Sequence, residues 1–231
     1  MKKMILASTS TIHGSGYLEY LHPTLEGHLK ELETVTFIPF ARPGGISYDR
    51  YTDAVRNSFA KINIKVIGIH TYKDMKDALL NSEAIFIGGG NTFELLNQLY
   101  QQQLLVPLKN TIENGIPYLG TSAGSNICGL NIKNTNDMPI IYPPSFEALA
   151  IIPFNINAHY LDPLKGSKHM GETRETRIKE FHVFNETPVL GLREGSWISV
   201  EGDKISLKGK HTARLFNKNK EAVEVASGAI L

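Results

Sequence analysis

From its amino end the chain alternates short apolar runs with longer segments whose apolar positions recur every three or four residues. Met4 to Ala7 is apolar throughout and too short for a helix, so it reads as a buried strand. Leu18, Leu21, Leu25, Leu29 and Leu32 then mark one face of a helix predicted over 17–32, which Pro23 kinks or delays. The β-branched and aromatic stretch 34–40 is a second strand, ended by Pro39 and the turn at Pro43-Gly44-Gly45. A helix over 48–61, a strand over 65–69, a short helix over 73–81 and a strand over 84–87 continue the alternation. Leu95, Leu96 and Leu99 lie on the next helix, and a further helix over 106–114 ends at Gly115, placed as a C-terminal cap. It leads to the apolar run Ile116 to Leu119.

Five strand–helix units with nearly continuous apolar strands predict an α/β fold, a mostly parallel sheet covered by helices on both faces. Functional groups are then expected at the carboxyl ends of the strands. After Leu119 the pattern changes. Asn134 to Pro139 and Tyr142-Pro143-Pro144 form loops, 151–158 is extended, and 171–185 is helical. From Val189 onward short antiparallel strands are predicted over 197–200, 205–207 and 213–216, a C-terminal extension of the sheet. No repeat or linker divides the chain, so residues 1–231 read as one α/β domain.

Composition narrows the functional class. The chain has 231 residues, of which 42% are hydrophobic and 20% charged, so a folded globular protein is expected. Lys and Arg total 24 against 23 Asp and Glu, leaving no basic excess for a nucleic-acid partner. The apolar run at the amino end has only four residues, Met4 to Ala7, too few for a secretion signal or a membrane span. A cytoplasmic location without membrane association is expected. The single cysteine, Cys128, has no partner for a disulfide or a metal site and reads as a small buried hydrophobe. No metal or cofactor is expected.

The candidate chemistry centres on Gly120-Thr121-Ser122-Ala123-Gly124, between an apolar run and a segment able to open a helix. In a G-x-S-x-G turn the chain reverses so tightly that its serine takes a strained conformation above the sheet, and the positions around it leave little room for a Cβ. Ser122 is therefore the candidate nucleophile, and it needs a base within hydrogen-bond reach. Of eight histidines, His13, His22, His28, His70 and His211 read as solvated, as do His169 and His182 around the helix after Gly171. His159 ends a predicted strand beyond the nucleophile and is the candidate base. Glu194, in Gly191-Leu-Arg-Glu-Gly195, and Asp137, in the loop after the elbow, are both candidates for the carboxylate behind it, or caps of turns. Gly88-Gly89-Gly90 lacks the Lys-Ser/Thr ending of a Walker loop. Gly89 or Gly90 is a candidate oxyanion donor, with Ala123 supplying the second N–H. Arg174 and Arg177 share a helical stripe with Ile178 and Phe181, and are read either as partners of Glu172 and Glu175 or as a pocket for an anionic substrate group.

Phe37-Ile-Pro-Phe40, Gly88 to Phe93, Gly120 to Asn126, Thr135 to Ile140, Asn157-Ala-His159, Gly171 to Arg177 and Gly191 to Trp197 occur in an order that resembles the peptidase E family of aspartyl dipeptidases. The resemblance covers most of the chain. It implies a fold like that of class I glutamine amidotransferases, with serine replacing cysteine, and hydrolysis of dipeptides that begin with aspartate. It matches Ser122 to the nucleophile, His159 to the base, Glu194 and Asp137 each to a third member, and Arg174 or Arg177 to the group that binds the aspartate side chain. Thr121 and Ala158 depart from the family pattern, which bears on specificity more than on chemistry. The expected partner is a small peptide substrate. A cyanophycinase-like peptidase acting on β-aspartyl links, or a non-catalytic binder of acidic small molecules, are the alternatives.

Overall fold

The computed structural model describes residues 1–163, 166 and 171–231; His169, read above as solvated, lies outside them. Among the described residues eleven strands and seven α-helices follow in the order β1 (Lys3–Ala7), α1 (His22–His28), β2 (Thr34–Ile38), α2 (Tyr48–Phe59), β3 (Lys65–Gly68), α3 (Met75–Leu80), β4 (Ile85–Ile87), α4 (Thr92–Gln101), α5 (Leu105–Glu113), β5 (Tyr118–Thr121), α6 (Ala123–Asn126), β6 (Asn155–Ala158), α7 (Arg174–Phe184), β7 (Val189–Leu192), β8 (Ser196–Glu201), β9 (Lys204–Gly209), β10 (Ala213–Phe216) and β11 (Val223–Val225). Seven strands form one sheet in the order β3-β2-β4-β5-β1-β8-β9, with the first five parallel and β8 and β9 antiparallel. The α/β architecture expected from the alternating pattern is therefore the one observed.

Along β1 the side chains alternate between two packed layers, as the period of a strand requires. Met4 and Leu6 join Leu95, Leu99 and Leu108 of α4 and α5; Ile5 and Ala7 join Leu25 of α1 and Val55 and Phe59 of α2. Polar side chains start the helices. Ser47 accepts the Arg50 N–H ahead of α2, Asp74 those of Lys76 and Asp77 ahead of α3, Asn91 that of Glu94 ahead of α4, and Thr173 that of Thr176 ahead of α7. Gly115 follows α5 at φ 102°, the left-handed conformation expected of a glycine cap.

Two features differ from the sequence reading. Pro23 sits in the first turn of α1, where its missing N–H costs nothing, so the predicted helix over 17–32 is a 3₁₀ turn at Glu19–Leu21 followed by His22–His28. The carboxyl-terminal strands do not form one extension. β8 and β9 continue the main sheet beside β1, while β10 and β11 join β6 and β7 in a second sheet, β11-β10-β7-β6, where β6 and β7 are parallel. One apolar cluster runs through both sheets, from Met4 and Leu6 to Ile156, Leu190 and Ala213. Among the described residues no helix is long and apolar enough to cross a membrane.

Candidate active site

β4, β5, β6 and β7 deliver their carboxyl ends to one place. β4 runs into Gly88, β5 into Ser122, β6 into His159, and β7 is followed by Arg193 and Glu194. Ser122 has φ 52° and ψ −111°, outside the left-handed helical region that a non-glycine residue tolerates best. Its neighbours explain how this conformation is held. A Cβ on Gly120 would lie 2.6 Å from the Gly124 carbonyl oxygen, and one on Gly124 would lie 2.2 Å from that of Ile87. Both obstacles are backbone, so only glycine fits.

The Ser122 hydroxyl lies 2.9 Å from His159 Nε2, and His159 Nδ1 lies 2.6 Å from Glu194 Oε1. An ionised carboxylate only accepts, so Nδ1–H donates to Glu194, which leaves Nε2 as the acceptor of the Ser122 O–H. His159 is itself left-handed, at φ 54°. The row is partly open to solvent, with the side chains of His159 and Glu194 39% and 48% exposed. On its outer side Glu194 borders a cleft of about 580 Å³ lined by Ile12, Tyr20, Trp197 and Lys210.

Asp137 is held elsewhere. Asn134 Nδ2 donates to the Ile156 carbonyl at 3.1 Å and Asn136 Nδ2 to that of Ala158 at 2.9 Å, which ties this loop to β6. The Asp137 carboxylate then accepts the Thr92 N–H at 2.7 Å and the Thr135 hydroxyl at 3.2 Å. It sits at the amino end of α4, where a negative charge is favoured. Among the described residues it has no hydrogen bond to His159.

Gly89 packs directly against the serine, since a Cβ there would be 3.0 Å from Ser122 Cβ and 3.5 Å from Oγ. Its carbonyl accepts the Tyr51 hydroxyl at 2.9 Å and Arg42 Nε–H at 3.4 Å. A trans peptide aims the following N–H, that of Gly90, the opposite way. The Ala123 N–H opens α6, where a helix leaves its amide donors unpaired. Tyr51 and Arg42 left no signal in the sequence, because a bond to a backbone carbonyl needs no motif.

The arginine stripe divides. Ile178 and Phe181 are buried. Arg177 is half exposed, with Nε 3.6 Å from Glu172 Oε2. Arg174 is half-buried and has no carboxylate within 4.0 Å among the described residues. Burial first and the Arg177 charge second hold its guanidinium below the ordinary value, and Asp137 opposes them. Asp137 is the residue whose carboxylate accepts the N–H of Thr92, the first residue of α4 and two positions past Gly90.

Two histidines are more buried than their sequence surroundings suggested. His28 continues the stripe of Leu21, in the 3₁₀ turn, and Leu25, on α1, and His182 follows Ile178 by four positions on α7, so each turns inward with its apolar neighbours. Cys128 is fully buried, and burial pushes its thiol up to about 12. Among the described residues no three His, Cys, Asp or Glu side chains converge as a metal site requires.

A model of peptidase family S51 matches residues 4–208. The Drosophila melanogaster protein named Probable alpha-aspartyl dipeptidase is 46% identical over 228 residues, spanning 97% of this chain and 94% of its own length. Peptidase E of Streptomyces coelicolor is also 46% identical over 228 residues, spanning 99% of this chain and 93% of its own. The solved structure of a peptidase from an acI-B1 Actinobacterium superimposes with a TM-score of 0.73 at 14% identity, covering 100% of this chain and 96% of that one, a likeness of fold.

Proposed function

The chain belongs to peptidase family S51, and from that premise we propose that it is a serine-type dipeptidase that hydrolyses peptides with N-terminal aspartate through an acyl-enzyme. The observation that carries this reading is the row from Ser122 Oγ through His159 to Glu194, at 2.9 and 2.6 Å. Ser122 attacks the carbonyl carbon of the aspartyl residue while His159 Nε2 takes its proton. Charge develops on the carbonyl oxygen, and the N–H groups of Ala123 and of Gly89 or Gly90 stabilise it. His159 returns the proton to the leaving amine as the C–N bond breaks. Water then attacks the ester by the same route, with His159 again as base, and releases aspartate and Ser122. Glu194 keeps the imidazole in the required tautomer and stabilises its charged form.

Arg174 is the group assigned to the aspartate side chain. It is half-buried and free of a carboxylate partner among the described residues. Arg177 has Glu172. The test is turnover of an aspartyl chromogenic amide against its asparaginyl, glutamyl and leucyl counterparts. Ser122→Ala is expected to abolish hydrolysis, and equal activity in that variant overturns the mechanism. Arg174→Met is expected to reduce the preference for Asp over Asn by about 10 to 100-fold, the worth of a charge-assisted hydrogen bond, while Arg177→Met retains it. An unchanged preference in Arg174→Met removes that arginine from the pocket.

A further inference from the structure

The three residues of the proposed row come from strand ends far apart in sequence, yet all three are tied to one dipeptide, Ala7-Ser8, where β1 ends. The Ala7 carbonyl accepts the Ser122 N–H at 3.0 Å and the Ser125 hydroxyl at 2.7 Å. The Ser8 hydroxyl accepts the His159 N–H at 2.9 Å and donates to the Leu192 carbonyl at 2.7 Å. The Ser8 N–H donates to the Ser196 carbonyl at 3.1 Å. Leu192 and Ser196 each lie two residues from Glu194. One buried residue therefore grips the backbone of the base and brackets that of the acid.

We propose that Ser8 is a positioning residue of the reaction, fixing the backbone of His159 so that its imidazole spans the gap between Glu194 and Ser122. The proposal rests on the reading of Ser122, His159 and Glu194 as the catalytic row. The chemistry of the site calls for a hydroxyl. The atom between the His159 N–H and the Leu192 carbonyl must accept on one side and donate on the other, within a space that leaves Ser8 0% exposed. Among small side chains only a hydroxyl does both well. The consequence falls on His159, whose φ of 54° is sparsely populated for a residue with a Cβ and persists only where its surroundings enforce it. Without the Ser8 oxygen the His159 N–H loses its partner, the strand end relaxes toward extended backbone, and the imidazole swings away from the serine. The same hydroxyl joins the two sheets, since Leu192 ends β7 of the second and Ser8 follows β1 of the first. The Leu192 carbonyl also accepts the Tyr160 N–H at 3.1 Å, so the chain is held on both sides of the imidazole.

Ser8→Ala, Ser8→Thr and Ser122→Ala are compared with the wild type on an aspartyl amide, with folding checked by thermal melting. A displacement of about 1 Å in a reacting group lowers rates by about 10²-fold, so kcat of Ser8→Ala is expected to fall by that order. KM is expected to stay near the wild type. The low-field proton resonance of the His159 Nδ1–H to Glu194 bond is expected to shift or broaden in Ser8→Ala, and Ser8→Thr to restore both kcat and the resonance. If Ser8→Ala does not fold, Ser8→Cys, close in size and a weak donor, is read in the same way. A folded Ser8→Ala or Ser8→Cys protein with wild-type kcat and an unmoved resonance overturns the proposal, as does a loss expressed in KM alone. Ser122→Ala separates the two readings: wild-type turnover in that variant overturns the catalytic row itself, whereas a dead Ser122→Ala beside an unaffected Ser8→Ala overturns only the role of Ser8.

Discussion

Glu194→Gln and Asp137→Asn divide the two carboxylates that the sequence offered for one role. In the structure Glu194 accepts from His159 Nδ1 at 2.6 Å, while Asp137 accepts from the Thr92 N–H at 2.7 Å. When His159 becomes charged in the transition state, a carboxylate whose charge centre lies about 4 Å away stabilises it by about 4 kcal/mol at an effective dielectric of about 20. The side chains are 39% and 48% exposed, and halving the figure for solvent screening leaves about 2 kcal/mol, or about 30-fold in rate. A glutamine also offers an N–H to Nδ1, which favours the tautomer with its proton on Nε2, where it blocks the base; the corresponding change in a buried triad costs about 10⁴-fold. Glu194→Gln is therefore expected to lower kcat by between about 30-fold and about 10⁴-fold, with little change in thermal stability. Asp137→Asn keeps the oxygen that accepts the Thr92 N–H but loses the charge at the start of α4. That costs about 0.3 to 1 kcal/mol, a fall of roughly 1 to 4 °C in Tm, with kcat near the wild type. Steady-state kinetics and thermal melts on the purified variants check both halves. A large loss of kcat in Asp137→Asn, beside a Glu194→Gln enzyme that is within a few-fold of wild type, refutes the assignment.

The glycines around Ser122 are expected to separate stability from activity. A Cβ on Gly124 meets the Ile87 carbonyl at 2.2 Å, an overlap with backbone, so Gly124→Ala is expected to lose more than about 3 kcal/mol or fail to fold. Gly89→Ala places its methyl carbon 3.0 Å from Ser122 Cβ at an ordinary backbone φ. It is expected to fold and to lose activity by crowding Ser122; melting and kcat measured together decide, and a fully active Gly89→Ala protein contradicts the packing argument. His28 supplies a pH prediction. Burial first and the Lys3 charge second push its imidazole down to about 4, below the 6.5 of an unfolded chain. The fold therefore favours the neutral ring, and its contribution is full above about pH 6.5 and lost as pH falls toward about 4, amounting to about 3 kcal/mol. Urea unfolding at pH 7 and pH 4.5 is expected to show a smaller loss in His28→Leu than in the wild type, and parallel losses refute the assignment to His28.

What could be read from sequence was what a residue decides locally. The apolar runs named β1 to β5, the glycine after α5 announced its cap, and the elbow announced itself because a serine at φ 52° needs glycines where Cβ atoms would strike backbone. What could not be read was pairing at long range. Nothing local told that β10 would leave the carboxyl-terminal strands to pair with β7. The choice between the two carboxylates belongs to the same class, because it is made by register. β6 and β7 run parallel with Ala158 opposite Leu192, so the next residue of one is His159 and the second beyond the other is Glu194. Asparagines tie the loop carrying Asp137 to the side of β6 and leave its carboxylate on α4. A slip of one residue between β6 and β7 would reverse which face each side chain of the shifted strand presents and carry Glu194 out of reach of Nδ1. The bond from Ser8 to Leu192 resists that slip, since it fixes the end of β7 to β1 while the same oxygen holds the first residue past β6. In the proposed mechanism the acid is therefore selected by a hydroxyl that bonds to neither the acid nor the nucleophile, on a strand end more than 100 residues away in sequence from either.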